Sequence, residues 1–178
     1  MLYLTDCGAL EGGYSDIILE RLSTIAKQQD VNQVVIESNF GDGMATALLK
    51  PILAKIHNCS IEEVRHSKQK ELRIIDTLEP VMNQHRLVVS QELIKDDFRL
   101  PIDHQLFKQM TRITRDKGAI KHDDALDALS IAVAYWTERM DRDQILSYKE
   151  HKDALLWADL EKFMENSTGR KPKKDRWL

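Results

Sequence analysis

The sequence predicts an α/β fold, in which a sheet is flanked by helices on both faces. Short apolar runs alternate with longer stretches of helical periodicity through the first 140 residues. Apolar residues make up 42% of the 178 residues and charged residues 31%, with few glycines and prolines, which is the balance of a globular protein. A chain of this length buries a core within one domain, so we expect one compact domain followed by a tail.

Four short apolar runs are predicted as strands because they are too short for helices and are bounded by turn-forming residues. They are Met1–Thr5, Gln33–Glu37, Ile61–Val64 and Leu87–Val89. The second run is β-branched, should be fully buried, and ends in an acid. We therefore expect Glu37 at the C-terminal end of a central strand.

Five segments have apolar residues at helical spacing and are predicted as helices. They are 15–29, 44–57, 68–85, 106–114 and 125–136. Ser15 is a suitable N-cap for the first helix, and Pro51 is expected to kink the second. The polar stretch 90–103 predicts no particular element. From about Asp141 the chain is charged and amphipathic and ends in basic residues, which predicts a helical and basic tail over 141–178.

Several classes of protein are disfavoured by composition. Cys7 and Cys59 are far apart and form no CxxC pair, so neither a zinc site nor a disulfide framework is predicted. No apolar run approaches the roughly 20 residues that span a bilayer, and the N-terminus has no signal pattern, so we expect neither secretion nor membrane insertion. The net charge of −3 argues against a uniformly basic DNA binder, although a site that clusters carboxylates around metals lowers net charge by itself.

Two groups of acids predict a metal-dependent site. Glu37 should project from the C-terminal edge of the sheet, where open α/β sheets bind ligands. Asp123, Asp124 and Asp127 lie within about one and a half helical turns, and the last two share a face. The helix dipole only partly offsets their repulsion, and a divalent cation would relieve the rest. Oxygen ligands suit Mg²⁺ or Mn²⁺, and two such ions would activate water for phosphodiester hydrolysis.

Each candidate residue also has a purely structural interpretation. Glu37 alone is more simply a polar strand end paired with a lysine, and Asp123 is a good N-cap, although capping does not account for Asp127. His122 is a candidate for proton transfer or phosphate binding, but a histidine beside an N-cap is more often solvated. The loop Asn39–Gly43 would let backbone amides approach a phosphate, yet it matches no known phosphate-loop pattern.

Basic residues are candidates for contacts with a DNA backbone. They are Lys68, Lys70, Arg112, Arg115 and Lys117, together with the basic C-terminal tail. For any one of them alone, a solvated surface charge is the commoner role. The chain has no G-x-x-x-x-G-K-[ST] motif, so we expect no ATP hydrolysis by this chain alone.

Four blocks, in this order, resemble the large terminase subunit of short-tailed double-stranded DNA phages, a family also called DNA maturase B. The blocks are Ile36–Gly43, Asp76–Met82, Gln109–Arg115 and His122–Leu129. The similarity runs from Tyr3 to about Met140. Four ordered blocks are far more specific than one acidic motif, and they disfavour an unrelated phosphatase-like or resolvase-like hydrolase that merely shares the acid layout.

The resemblance implies an RNase H-like (RuvC-type) fold, a mixed sheet flanked by helices, forming a nuclease domain over residues 1–140. Such a domain cuts concatemeric phage DNA during genome packaging with Mg²⁺ or Mn²⁺ held by acids on a strand and a terminal helix. Glu37 matches the family's strand glutamate. The helix acid is expected at Asp124, with Asp127 one turn further and Asp123 as the nearest rival. These residues are the expected catalytic acids, and Glu37, Asp124 and Asp127 the expected metal ligands.

The resemblance also implies partners and a location. The partners are double-stranded DNA, an ATPase domain, the portal and the small terminase subunit. The location is the cytoplasm of an infected or lysogenic bacterial host, and transiently the portal of the procapsid.

The chain departs from the family pattern in two respects. The family's leading aspartate lies on a strand before the position where this sequence begins, and Asp6 does not replace it. The ATPase motor is missing as well. We therefore expect a domain truncated at its N-terminus, with nuclease activity reduced by loss of one ligand. The alternative is a catalytically impaired remnant or docking module that binds DNA, portal or small terminase.

Overall fold

The computed structural model describes residues 1–38, 43–118 and 120–168. Along these residues four strands alternate with the first four of six α-helices, and the last two helices follow without a strand between them. In chain order they are β1 Leu2–Leu4, α1 Asp16–Gln28, β2 Gln33–Glu37, α2 Met44–Ile56, β3 Ser60–Val64, α3 Lys70–Asn83, β4 Leu87–Val89, α4 Gln91–Asp97, α5 Leu106–Arg112 and α6 Asp124–Thr168. A short 3₁₀ helix, Ile102–His104, lies between α4 and α5. The predicted α/β class is confirmed.

The strands form two parallel pairs. β1 pairs with β4, with Leu2 opposite Leu87, and β2 pairs with β3, with Glu37 opposite Val64. Within the described ranges these are the two sheets, each of two strands, and neither contains an antiparallel pair. The structure therefore has the expected strands, but it does not join them into one mixed sheet.

Each strand pair has its own hydrophobic core. The first core packs α3, α5 and the start of α6 beside β1 and β4, and its buried residues are Ile74, Leu78, Val81, Leu106, Leu126, Leu129 and Val133. The second core packs α1 and α2 beside β2 and β3, and its buried residues are Leu19, Ala26, Leu49 and Leu53. Each fully buried Leu or Ile contributes about 1.5–3 kcal/mol relative to an exposed one. The two cores stabilise the helices and strands that pack around them.

One helix matches its predicted extent closely, and another was not predicted. α2 extends from Met44 to Ile56, against the predicted 44–57, and continues through Pro51, which removes one backbone hydrogen bond. Gly43 precedes this helix at φ +84°, where a side chain would be strained and its Cβ would lie 3.2 Å from a carboxylate oxygen of Glu63. The polar stretch after β4 also contains a helix, α4, because the Ser90 hydroxyl accepts a hydrogen bond from the Leu93 N–H at 3.1 Å.

The last helix is much longer than the predicted 125–136. α6 extends from Asp124 to Thr168, because the chain after Trp136 has no glycine or proline before Gly169. Two compact units divide between Ala134 and Tyr135, so the expected boundary after residue 140 falls inside α6 and inside the second unit. The basic end of the predicted tail lies outside the described residues.

The second unit, from Tyr135 onward, is helical as far as Thr168. Its first turn is held by Arg139, whose guanidinium carbon lies 4.3 Å from the centre of the Tyr135 ring. Apolar side chains further along the unit are exposed. Over the described ranges, no helix is both long enough and apolar enough to cross a membrane.

Candidate active site

Glu37 is the last residue of β2, as the sequence predicted. Parallel pairing with β3 continues to this point, and the next residue, Ser38, donates its backbone N–H to the Val64 carbonyl at 2.9 Å. His66, two residues beyond β3, places its Nδ1 3.0 Å from Glu37 Oε1. The paired strand ends thus fix the position of the glutamate, and the histidine orients its carboxylate.

Asp127 lies in the first turn of α6 and is buried. Its neighbours Leu126 and Leu129 are core residues, and this packing determines which side of the helix faces inward. Ser130 donates to the Asp127 carbonyl at 2.8 Å and lies 3.4 Å from its Oδ1. A carboxylate in such a place needs positive partners, since an unpaired buried charge is very costly.

Gln109 of α5 fixes the start of α6 through a side-chain hydrogen bond. The buried Gln109 accepts a hydrogen bond from the Leu126 N–H at 3.0 Å and donates to the Asp103 carbonyl at 2.9 Å. It thereby satisfies one of the backbone donors that every helix leaves free in its first turn. The first turn of α6, which carries Asp127, is therefore fixed to α5 through Gln109.

Arg73 of α3 joins the strand acid to the helix acid. Its Nη2 lies 2.6 Å from Asp127 Oδ1 and 3.5 Å from Glu37 Oε1. The Arg73 side chain is only 10% exposed. The bridge also spans the two cores, because Glu37 ends a strand of the second core and Asp127 lies on a helix of the first.

Lys70, one helical turn before Arg73, also pairs with Asp127 and adds a contact with Asp123. Its Nζ lies 2.8 Å from Asp123 Oδ1 and 3.1 Å from Asp127 Oδ2. Burial lowers the pKa of Lys70, but the hydrogen bonds to the two aspartates outweigh burial, and the net pKa is raised. The lysine therefore stays protonated, and both oxygens of Asp127 face a positive nitrogen.

We call Glu37, Asp123 and Asp127 the carboxylate cluster. It combines three of the four acids that the sequence singled out. The fourth, Asp124, is exposed and has no ion pair or hydrogen bond within the described part of the chain. The structure thus brings Asp127 to Glu37, whereas the family pattern had favoured Asp124 as the helix acid.

Cations of the protein itself occupy the space between these acids. Across residues 1–38, 43–118 and 120–168, no three His, Cys, Asp or Glu side chains are grouped so as to hold a metal ion. The donor chemistry nevertheless fits a hard divalent cation, because carboxylate oxygens from two elements converge on one positively charged nitrogen. The guanidinium of Arg73 stands in for a cation at that point.

The predicted DNA-binding residues fall into two groups. Lys68, Arg112 and Lys117 are exposed. Lys70 and Arg115 are engaged with carboxylates, Lys70 in the cluster and Arg115 with α3, where its Nη2 lies 3.5 Å from Glu79 Oε2 and 3.8 Å from Asp76 Oδ1. The loop that carries Lys117 is tied to α3, because the Gly118 N–H donates to Glu71 Oε1 at 2.6 Å.

His122 does not contact the carboxylate cluster, and most of the loop after β2 is outside the described residues. The His122 ring lies against that of His104, with the ring centres 6.2 Å apart, rather than against an acid of the cluster. Residues 39–42 of the loop Asn39–Gly43 lie outside the described residues.

Arg73, His66 and Gln109 were not predicted from the sequence as residues of the site. One signal for Arg73 was present, since Lys70 and Arg73 are spaced i, i+3 and so share a face of a predicted helix. His66 and Gln109 had no comparable signal. Their partners, Glu37 and Leu126, are 29 and 17 residues away, and only the fold brings them together.

Comparison with known proteins shows which family this sequence is similar to. Residues 1–87 match the ribonuclease H-like domain of the bacteriophage T7 terminase. The chain is 42% identical over 168 residues to the terminase large subunit of enterobacteria phage T3. That similarity covers 90% of this chain, while the chain spans only 29% of the length of the T3 protein. The resemblance inferred from the four sequence blocks is confirmed, and the chain belongs to the phage terminase large-subunit family through its RNase H-like domain.

Proposed function

We propose that this chain is a metal-dependent endonuclease domain that cuts concatemeric double-stranded DNA during genome packaging. Its family membership supports a nuclease-type domain. One observation carries the proposal: Glu37 and Asp127, from a strand end and a helix start, contact the same nitrogen of Arg73. Two-metal phosphodiester hydrolysis requires carboxylates that converge on one place, where they can hold the two ions about 3.5–4 Å apart.

Mg²⁺ or Mn²⁺ is the proposed cofactor, held in a two-metal site. Glu37 and Asp127 would be its principal ligands, and Asp123 and Asp124 are further carboxylates at the start of the same helix. When bound, the metals would supply a hydroxide nucleophile and stabilise the leaving oxygen. The protein's own contribution is to hold the carboxylates in place: His66 orients Glu37, and Gln109 fixes the turn that carries Asp127.

Double-stranded DNA is the proposed substrate. The exposed side chains of Lys68, Arg112 and Lys117 are available to its phosphates, and each such contact would release counterions and make binding salt-dependent. Lys70 and Arg115 would first have to leave their carboxylates. A DNA phosphate near the cluster would provide a negative charge with which Lys70 could pair instead.

The wider setting of the activity belongs to the same proposal. An ATPase domain, the portal and the small terminase subunit are the proposed partners, in the cytoplasm of an infected or lysogenic bacterium and transiently at the procapsid portal. We propose a nuclease domain over 1–140 with a helical, basic tail over 141–178. The full RuvC-type mixed sheet would require the two parallel pairs to be joined by further strand pairing.

Nicking of supercoiled plasmid with Mn²⁺ and without ATP tests the proposal. The variants are Glu37→Gln, Asp127→Asn and Asp124→Asn, each shown by circular dichroism to be folded. Asp96→Asn is the matched control, because Asp96 is an exposed acid paired only locally with Arg99. We expect Glu37→Gln and Asp127→Asn to abolish nicking and Asp96→Asn to leave it unchanged.

The position of the helix acid is decided by the third variant. If Asp124→Asn retains more activity than Asp127→Asn, the acid in contact with Arg73 is the catalytic one. The reverse result assigns the role to the exposed Asp124. Wild-type protein that is folded yet does not nick with Mn²⁺ contradicts independent nuclease activity.

A second candidate function rests on the cations within the cluster. Arg73 and Lys70 pair with the acids, so the chain's own side chains compensate the carboxylate charges. Such a domain would also serve as a non-catalytic module that binds DNA, portal or small terminase. Salt-dependent DNA binding without Mn²⁺-dependent nicking supports this function over the first.

A further inference from the structure

We propose that Arg73 is a built-in competitor of the divalent metal: its guanidinium lies between Glu37 and Asp127 when no metal is bound, and the metal must displace it. Arg73 is thus a positioning residue that sets the metal affinity of the site. The inference rests on the proposed metal-dependent nuclease, but its test measures binding rather than cleavage.

Arg73 contacts both acids through the same nitrogen. A single atom, Arg73 Nη2, lies 2.6 Å from Asp127 Oδ1 and 3.5 Å from Glu37 Oε1. These oxygens are the principal proposed ligands. A guanidinium nitrogen and a divalent cation therefore compete for the same lone pairs, and both cannot occupy the point between the two carboxylates.

Arg73 does not use all of its hydrogen-bond donors within the described ranges. Its side chain is 90% buried, with 10% exposed, and its Nε–H has no hydrogen-bond partner within the described ranges. The strongest arginine–carboxylate pairs are bidentate and use two nitrogens against one carboxylate. The contacts of Arg73 with Asp127 and Glu37 instead share Nη2, so this arginine neutralises charge without using its full set of donors. A buried donor without a partner costs free energy, which favours displacement.

Lys70 and His66 would still contact the acids after Arg73 leaves. Lys70 keeps Asp127 Oδ2 at 3.1 Å and Asp123 Oδ1 at 2.8 Å, and His66 keeps Glu37 Oε1 at 3.0 Å. The oxygens facing Arg73 would thus be presented to the metal by neighbours that do not have to move. These three contacts do not involve Arg73, so its displacement leaves them in place.

Titration of the protein with Mn²⁺, followed by the electron paramagnetic resonance signal of unbound Mn²⁺, tests the proposal. The variants are Arg73→Met, which removes the charge, and Arg73→Lys, which keeps it. Arg99→Met is the matched control, because it removes one positive charge from an exposed pair with Asp96. Circular dichroism of each variant establishes that it is folded.

We expect Arg73→Met to bind Mn²⁺ about tenfold or more tightly than wild type. In wild type, only the minor fraction of molecules in which Arg73 has left the two acids can bind the metal, and the apparent affinity is reduced by that fraction. Arg73→Lys should return the affinity toward the wild-type value, and Arg99→Met should not change it. Equal or weaker binding by Arg73→Met overturns the proposal. If wild type binds Mn²⁺ in that case, the metal site of the proposed function stands; if neither protein binds, both proposals are contradicted.

A measurement on the unmodified protein covers the case in which Arg73→Met does not fold. The Nε–H of Arg73 should give a slowly exchanging nitrogen-15 resonance because it is buried, and Arg73→Lys assigns that resonance by removing it. Titration with Mg²⁺ should shift this signal with the same midpoint as metal binding. A resonance that stays unchanged while Mg²⁺ binds overturns the proposal.

Discussion

Arg73 and Arg115 each face two carboxylates, yet their surroundings are very different. Arg73 is 10% exposed and reaches Asp127 at 2.6 Å and Glu37 at 3.5 Å. Arg115 is 63% exposed and reaches Glu79 at 3.5 Å and Asp76 at 3.8 Å, both of which are more than half exposed. One cluster is mostly removed from water, and the other is surrounded by it.

The difference shows why similar charge patterns have different consequences. Water and salt screen the exposed pair, and holding its long side chains in one geometry costs conformational entropy. In the buried cluster screening is weak, so removing one partner leaves an uncompensated charge. We therefore expect the buried arginine to control stability and metal binding, and the exposed one to affect them little.

The largest effect is expected for Arg73→Met. The substitution leaves Asp127 and Glu37 without the cation between them, which should lower the free energy of unfolding by about 3 kcal/mol at neutral pH. Urea denaturation in EDTA measures this loss. Added Mn²⁺ should restore more stability to Arg73→Met than to wild type, since a ligand that binds only the folded state stabilises it. A loss no greater than that expected for an exposed ion pair would show that burial does not strengthen the contribution of Arg73.

A smaller and pH-dependent effect is expected for Glu71→Gln. Glu71 lies between Lys70 and Arg73 in sequence, but its buried carboxylate faces a neutral partner, the Gly118 N–H at 2.6 Å. That hydrogen bond holds the pKa of Glu71 below its ordinary value of 4.5. The stabilisation is therefore fully present above pH 4.5 and is lost as the pH falls through the lowered pKa of the folded state.

Thermal unfolding between pH 7 and pH 3 measures this behaviour. Glu71→Gln should unfold at a lower temperature than wild type at pH 7, and the gap between the two proteins should narrow as the pH falls below 4.5. A gap of constant size across this range would mean that the charge of Glu71 does not contribute. The substitution thus separates burial of a carboxylate from pairing of that carboxylate with a cation.

The smallest effect is expected for Arg115→Met. Its two contacts are long and exposed, so the free energy of unfolding should change by about 0–1 kcal/mol, and less at high salt. Urea denaturation at low and high ionic strength measures both values. A loss comparable with that of Arg73→Met would show that exposure does not distinguish the two arginines.

Local sequence was sufficient for much of the fold. The runs 33–37, 61–64 and 87–89 are all within strands, and Glu37 ends its strand as predicted. The helix predicted over 68–85 is α3, shorter by two residues at each end. The polar stretch after β4 was not predicted as a helix, because its Ser90 cap is a local signal that the mixed polar composition concealed.

The helix acid was less predictable. The start of α6 is apolar on nearly every face, so periodicity alone does not indicate which side is buried. Periodicity therefore did not distinguish Asp124 from Asp127, and the family resemblance favoured Asp124. The packing of Leu126 and Leu129 sets the rotation of the helix. That packing buries Asp127 and leaves Asp124 exposed.

By itself, the sequence determined the family, the α/β class, and the presence of acids at a strand end and a helix start, because motifs, periodicity and strand composition are local properties. Only the tertiary structure decided which acids meet and what lies between them. Arg73 is 36 residues from Glu37 and 54 from Asp127, and the contacts among them form only when two hydrophobic cores place β2, α3 and α6 together. Contacts over such separations depend on the packing of whole elements, which no local pattern encodes.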